Sequence, residues 1–265
     1  MVKIKTINMN CYRDIGIVLH NQPFQETSMI IRVFTKEYGI LSFLIKGAAR
    51  MKKLPPAVYN PLSFIRISWS SPDRGKLINP NSLECIVSFG FSYEHYFQTI
   101  IAQDVVFLIY KTWNHELPDR RLFADMLRLL KLLESSNLQT ALWLYVWFVL
   151  ELLDLHGFML NLLTCQNCQK VIANQITWLP KMAEGIVGSC CISTHQKDTS
   201  LELGNEIREK LIFLQMKGLP PVDDFPEEEI RRLVEELVLL HFSYKNIRNG
   251  IFSRSSWYNL MESLK

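Results

Sequence analysis

The 265-residue chain lacks the short motifs of the common enzyme classes. It has no GxxxxGK(S/T) phosphate loop, no GxGxxG dinucleotide turn, no HExxH zinc helix and no GxSxG nucleophile elbow. Its six histidines are scattered, and neither His20 nor His95 has a carboxylate or cysteine at catalytic spacing. His156 follows a long apolar stretch and precedes Gly157, which places it at a helix C-terminus, where positive charge is favourable. Acidic pairs such as Glu151 with Asp154, or Glu235 with Glu236, read as solvated or salt-bridged helix faces. Nothing here argues for an enzyme. The opening MVKIKTINMNCYRD has no apolar h-region and no small-residue cleavage site, so no secretory leader is expected. The longest apolar run, ALWLYVWFVL at 141–150, is stopped by Glu151 and Asp154, short of the ~20 residues of a membrane span. It reads as a helix buried in a core. The expectation is a soluble, cytoplasmic protein, with no membrane partner, whose six cysteines are reduced thiols or metal ligands. There is no internal repeat and no low-complexity segment.

What is present is an ordinary globular balance, 48% hydrophobic and 21% charged, with an uneven charge distribution. Residues 1–80 hold twelve Lys and Arg against four acids, net +8, while the remainder carries net −5. A basic N-terminal third on an acidic body suggests a polyanion-binding module joined to a protein-binding or structural one. The opposing reading is uneven charge on solvated surfaces.

Residues 1–85 read as β. GIVLH (16–20), SMIIRVFT (28–35), ILSFLIKGA (40–48) and LSFIRISW (62–69) are short runs rich in β-branched and aromatic residues. KEYG (36–39) is a tight turn in which Gly39 can take φ > 0, SPDRGKL (71–77) is a second turn, and the proline-rich 52–61 is a loop. Roughly five short strands fit a small closed or partly open barrel. The rest reads as helix at 92–113, 119–134, 138–155, 201–216, 227–247 and 255–264. Residues 163–194 interrupt these helices. There TCQNCQK carries Cys165 and Cys168 as a CxxC knuckle, with Cys190 and Cys191 adjacent in GSCC. A CxxC beside a short β excursion resembles a zinc-ribbon or treble-clef insert.

The stretch LIKGAARMKK clusters Lys46, Arg50, Lys52 and Lys53 where a strand gives way to a loop, with small residues between them. Tyr38, Phe43, Tyr59 and Trp69 lie nearby in sequence; alternation makes Phe43 and Trp69 core residues. A basic groove with aromatic platforms on a small barrel is how single strands are held without sequence readout. Candidate nucleic-acid contacts are therefore Arg32, Lys36, Lys46, Arg50, Lys52, Lys53, Arg66, Arg74 and Lys76. The alternative is a solubilising loop beside core aromatics.

The order of these features resembles the RecO family of bacterial recombination mediators. The resemblance rests on ETSMIIRVFTKEYG at 26–39, KGAAR at 46–50, LELLDLHGF followed by CxxC, then EGIVGSCC and FSRSSW, and it runs over nearly the whole chain. It implies an α+β chain: an N-terminal OB-fold barrel (1–85), an α-helical domain (86–162 and 196–265) and a zinc-finger-like insert (163–195). It also implies a role in DNA damage repair and homologous recombination. That role comprises binding of single- and double-stranded DNA, strand annealing, action with RecR to displace single-strand-binding protein, and loading of RecA, with RecF a further partner. The location implied is cytoplasmic, at the nucleoid. Many members carry a four-cysteine zinc finger, with a glycine pair before a second CxxC. Here the third position of that pattern falls on Gly188 and the fourth on Cys191. Cys190 could substitute, although neighbouring side chains diverge along an extended chain, or His195 could complete a set of three cysteines and one histidine. One structural zinc per chain, or a metal-free relic, are the two outcomes. Possible rim residues for the acidic, hydrophobic tail of single-strand-binding protein are Arg208, Lys210, Lys217, Arg231 and Arg232. Rival functions are a metal-dependent nucleic-acid enzyme, with Glu184 as base, and a structural adaptor that never touches DNA.

Overall fold

The computed structural model describes residues 11–48, 56–70, 77–90, 96–113, 117–180 and 185–217, with Leu233. These fall into two units, one holding the N-terminal strands with Val106–Leu127, the other residues 95–105 with 128 onward. Apart from the buried Leu233, the helix expected at 227–247 lies outside the described residues, as do the helix expected at 255–264 and the turn at 71–76.

In the first unit, β1 (Tyr12–Phe24), β2 (Ser28–Thr35), β3 (Gly39–Ile45), β4 (Ser63–Trp69) and β5 (Pro80–Ser88) form an antiparallel sheet in the order β3-β2-β1-β4-β5. The two edges of that sheet meet. Leu44 N donates to Ile78 O at 2.8 Å and Ile78 N to Ser42 O at 2.9 Å, a parallel joint between β3 and the approach to β5. Five strands closed by one parallel joint are the OB-fold arrangement. Alternation supplies the interior, where Val18, Ile31, Val33, Phe43, Ile65, Ile67 and Trp69 are all buried. Gly39 takes φ 74° in the β2–β3 turn, as KEYG requires. Gly16 is needed for a different reason: a Cβ there would sit 2.4 Å from Val33 Cγ1.

The β1–β2 register slips once, between Val18↔Val33 and His20↔Arg32. Leu19 is the extra residue of a bulge. Without it His20 would oppose Ile31 and point into the barrel; with it His20 opposes Arg32 and points outward.

The helices are α1 (Tyr96–Thr112), α2 (Arg120–Leu133), α3 (Leu138–Leu155), α4 (Thr194–Thr199) and α5 (Asn205–Lys217). Within the first unit Phe123 of α2 packs edge-on to Phe34, ring centroids 5.7 Å apart. In the second unit, α3 starts at Asn137, whose side chain accepts from Thr140 N at 2.8 Å, and is capped at its C-terminal end by His156. By length and composition α3 could cross a membrane, yet twelve of its eighteen residues are buried within the protein. It is the core helix expected from ALWLYVWFVL. Thr177–Pro180 (β6), Val187–Gly188 (β7) and Ser200–Leu203 (β8) add a small sheet in the order β7-β6-β8.

Within this unit a fully buried tyrosine meets a half-buried carboxyl. Tyr145 donates to Asp104 Oδ2 at 3.1 Å. Burial pushes the Asp104 carboxyl from 3.8 up to about 6, against the lowering effect of the Tyr145 hydroxyl. A carboxyl whose folded value is raised binds its proton more tightly in the native than in the unfolded chain. Stability contributed by protonation is therefore full below pH 3.8 and is lost as pH rises through about 6. Asp104→Asn is expected to remove this loss. It should stabilise the chain by about 1–3 kcal/mol near pH 7.5 and by close to nothing near pH 4. Urea denaturation of both proteins at the two pH values checks this; an equal effect at both would sink it.

Candidate functional site

Among the described residues, two places gather side chains with chemistry to offer. The first is the cysteine region. Cys165 and Cys168 lie on a tight knuckle in which Gln169 N donates to Cys165 O at 2.8 Å and Cys165 N to Lys170 O at 2.9 Å, with Gln169 at φ 60°. The second pair lies on a turn, not an extended strand: Cys191 N and Ile192 N both reach Gly188 O, at 3.0 and 3.2 Å. The turn corrects the expectation that adjacent cysteines diverge. Both thiols swing to one side, and the Sγ atoms of Cys165, Cys168, Cys190 and Cys191 all lie within 4.8 Å of one another. His195, in the first turn of α4, stands outside this group.

The donor set fits zinc. Cys168 and Cys190 sulfurs are 3.5 Å apart and those of Cys190 and Cys191 3.6 Å. A tetrahedron of sulfurs about 2.3 Å from zinc has edges of about 3.8 Å. Cys165 is fully buried, and burial raises its thiol, but N–H groups of Gly188, Cys168 and Asn167 and the Cys168 side chain pull it down to about 6. Cys191 is pushed up to about 12, chiefly by its hydrogen bond with Cys168 and then Cys190. Four sulfurs this close cannot all carry charge unless a cation sits among them. Four sulfur ligands also close a tetrahedral site, leaving no position for a reacting water. Glu184, the base an enzyme reading would use, lies outside the described residues.

The second place is the outer surface of the barrel. Lys46 is exposed at the end of β3 and, with Asn79, Asn81 and Ser82, forms the polar lining of an open groove of about 510 Å³ beside the β3–β5 joint. Arg50, Lys52, Lys53, Arg74 and Lys76 lie outside the described residues. Lys36 sits 3.8 Å from Glu37, which also pairs with Arg120. Arg66 pairs with Glu84 across the β4–β5 ladder. Arg66 opposes Ile15 and Arg32 opposes His20, five residues along β1 and so about 17 Å apart. The expected cations thus do not form one patch among the described residues. Tyr38 and Tyr59 pack partly against the barrel core, and Tyr38 meets Trp69 edge-on with centroids 5.2 Å apart. Their rings are spent largely on the core.

Sequence reading missed the surroundings of Arg32. Its guanidinium lies 5.0 Å from the Tyr110 ring centroid and donates to the Tyr110 hydroxyl at 2.6 Å. His20 stacks flat on the same ring, centroids 5.3 Å apart and planes 5° from parallel, and Lys111 Nζ is 5.3 Å from it. Arg32 and Tyr110 are 78 residues apart, and no local signal pairs a strand with a distant helix turn.

Known proteins place this architecture. Residues 9–89 match the family model Recombination protein O N terminal, and residues 94–240 match Recombination protein O C terminal. Among curated relatives, the DNA repair protein RecO of Aliivibrio fischeri is 28% identical over 173 residues, 65% of this chain and 70% of the relative. That of Vibrio cholerae is 27% identical over 194 residues, 72% and 74% of the two chains. That of Rickettsia typhi is 26% identical over 204 residues, 76% and 77%. With both family models matched in order on an OB barrel followed by helices, this chain belongs to the RecO family, and its role lies in DNA repair and recombination.

Proposed function

We propose that this chain is a non-catalytic mediator that holds DNA on its barrel and protein partners on its helical unit. The observation that carries the reading is the OB barrel with the open, Lys46-lined groove at its joint, in a segment whose residues 1–80 carry net +8. In OB folds such a groove tracks a single strand through phosphate contacts. Lys46, Arg50, Lys52 and Lys53 are the first contacts in this reading, with Arg32, Lys36, Arg66, Arg74 and Lys76 around them. Because Lys36 and Arg66 already pair with Glu37 and Glu84, they contribute less than Lys46. Duplex DNA binds the same surface more weakly. The chain anneals strands and acts with RecR to displace single-strand-binding protein and load RecA, with RecF a further partner, in the cytoplasm at the nucleoid. One structural zinc sits on Cys165, Cys168, Cys190 and Cys191 and fixes the fold of the insert.

The test is fluorescence anisotropy of a labelled single-stranded oligonucleotide at several salt concentrations. It compares the chain with a variant carrying Lys46, Arg50, Lys52 and Lys53 as glutamate. Four lost phosphate contacts should lower the salt slope by about 3 and affinity by at least a hundredfold at moderate salt. Equal binding by both proteins would refute the groove. No binding by either, even at low salt, would favour the adaptor reading.

A further inference from the structure

Arg32 and Lys111 have no carboxylate partner among the described residues, unlike Lys36, Arg66, Arg120 and Arg121. Two unneutralised cations beside a histidine are costly to assemble. The fold nevertheless assembles them by two separate means. The bulge at Leu19 turns His20 outward beside Arg32, and α1 brings Tyr110 and Lys111 onto the same spot. The Tyr110 ring already contacts His20, Arg32 and Lys111, so it offers an incoming molecule no free stacking platform. What the cluster offers is positive charge and N–H donors around a rigid ring. Phosphate oxygens match that; an acidic, hydrophobic peptide would also need an apolar pocket.

We propose that His20, Arg32 and Lys111, arranged around Tyr110, form a second phosphate site for the DNA backbone, apart from the groove at Lys46. The proposal rests on the nucleic-acid reading above. Ile45, which precedes Lys46, pairs with Met29, three residues from Arg32 on β2. The two sites are therefore about 13 Å apart along the strand, a span that falls inside the roughly 4–16 nucleotides one OB fold covers. The site is also sensitive to pH. Burial, then Arg32, then Lys111 hold His20 below its usual value of 6.5, so in the free chain it is mostly neutral at neutral pH. Among the described residues, these two cations, with the Tyr110 hydroxyl, are the charged and titratable groups that face it. A bound phosphate reverses the local field and raises that value. Binding therefore takes up a proton and strengthens as pH falls through the window between the two values.

Two measurements test the site on the full chain. Histidine NMR with added tripolyphosphate should move the His20 titration upward, and Lys111→Ala should weaken that response; no movement overturns the proposal whatever DNA does. DNA anisotropy should show binding about three- to tenfold tighter near pH 6 than near pH 8, with most of that difference gone in His20→Gln. Lys111 is exposed, so Lys111→Ala leaves the fold intact and should reduce the salt slope by about 0.7. A pH profile unchanged in His20→Gln, or a slope unchanged in Lys111→Ala, overturns the site. A His20 response to tripolyphosphate without any DNA binding would instead fault the nucleic-acid reading and, with it, the assignment of this site to DNA.

Discussion

Replacing Cys165 with serine is expected to take zinc from about one per chain to near zero and to lower the melting temperature by roughly 10 °C. Cys165 is the member of the cluster with least access to water, and its sulfur accepts a bond from Gly188 N at 3.5 Å. A serine oxygen at that point is shorter and binds zinc poorly. The knuckle would also lose the contact that ties it to the Gly188 turn. Structural zinc contributes roughly 10–16 kcal/mol in isolated finger peptides. Here β6, β7 and β8 give the insert some support of their own, so a loss of several kcal/mol is the appropriate scale. The same assay decides the ligand set. Cys190→Ser should lose the metal and His195→Ala should keep it, because the Gly188 turn aims both cysteine sulfurs inward while His195 lies outside the group. Metal content by mass spectrometry, with melting before and after chelation, reads this directly. A wild-type chain purified without zinc, or a Cys165→Ser chain that keeps it, would end the metal reading and leave a relic.

Much of this architecture could be read from local pattern. SMIIRVFT matches β2 residue for residue, and the stretch at 138–155 matches α3, because each element is long, apolar and regular enough to declare its period. The CxxC knuckle was equally legible. The unreadable parts all depend on partners far away in sequence. Arg66 looks like a free cation until the β4–β5 register sets Glu84 opposite it. His20 looks like a core or surface residue of GIVLH until one extra residue, Leu19, flips the alternation. Cys190 and Cys191 look incompatible as ligands of one ion only if the chain is assumed to be extended. Three-residue reversals and single bulges leave no periodic trace, so the fold was readable where the sites were not.

Arg208→Ala is expected to cost about 3–5 kcal/mol, a large effect for a cation on a helix that looks amphipathic and exposed. As sequence, Arg208 is a possible rim residue for an acidic tail. As structure, it is 4% exposed, and its guanidinium is spent indoors. Nη1 donates to Ile172 O at 2.9 Å, while Nη2 donates to Ala173 O at 3.0 Å and Asn205 Oδ1 at 2.8 Å. Those two carbonyls follow directly on the cysteine knuckle, whose last residues Lys170 and Val171 precede them in the chain. Arg208 therefore pins the segment after the knuckle to α5. Alanine would leave a cavity and the buried Ile172 carbonyl without its donor, while the Ala173 carbonyl, on an exposed residue, turns to water; methionine would fill the space and still orphan the Ile172 carbonyl, for about 1–3 kcal/mol. Lysine has one compact ammonium where three acceptors await a planar fork, so it should recover only part of the loss. Urea denaturation of the three variants, read beside binding of an acidic tail peptide, separates the roles. If Arg208→Ala were as stable as the parent yet lost the peptide, the buried clamp would be refuted and the surface role restored. The geometry predicts the opposite: stability falls in the order Arg, Lys, Met, Ala, and peptide binding weakens only as far as the fold does.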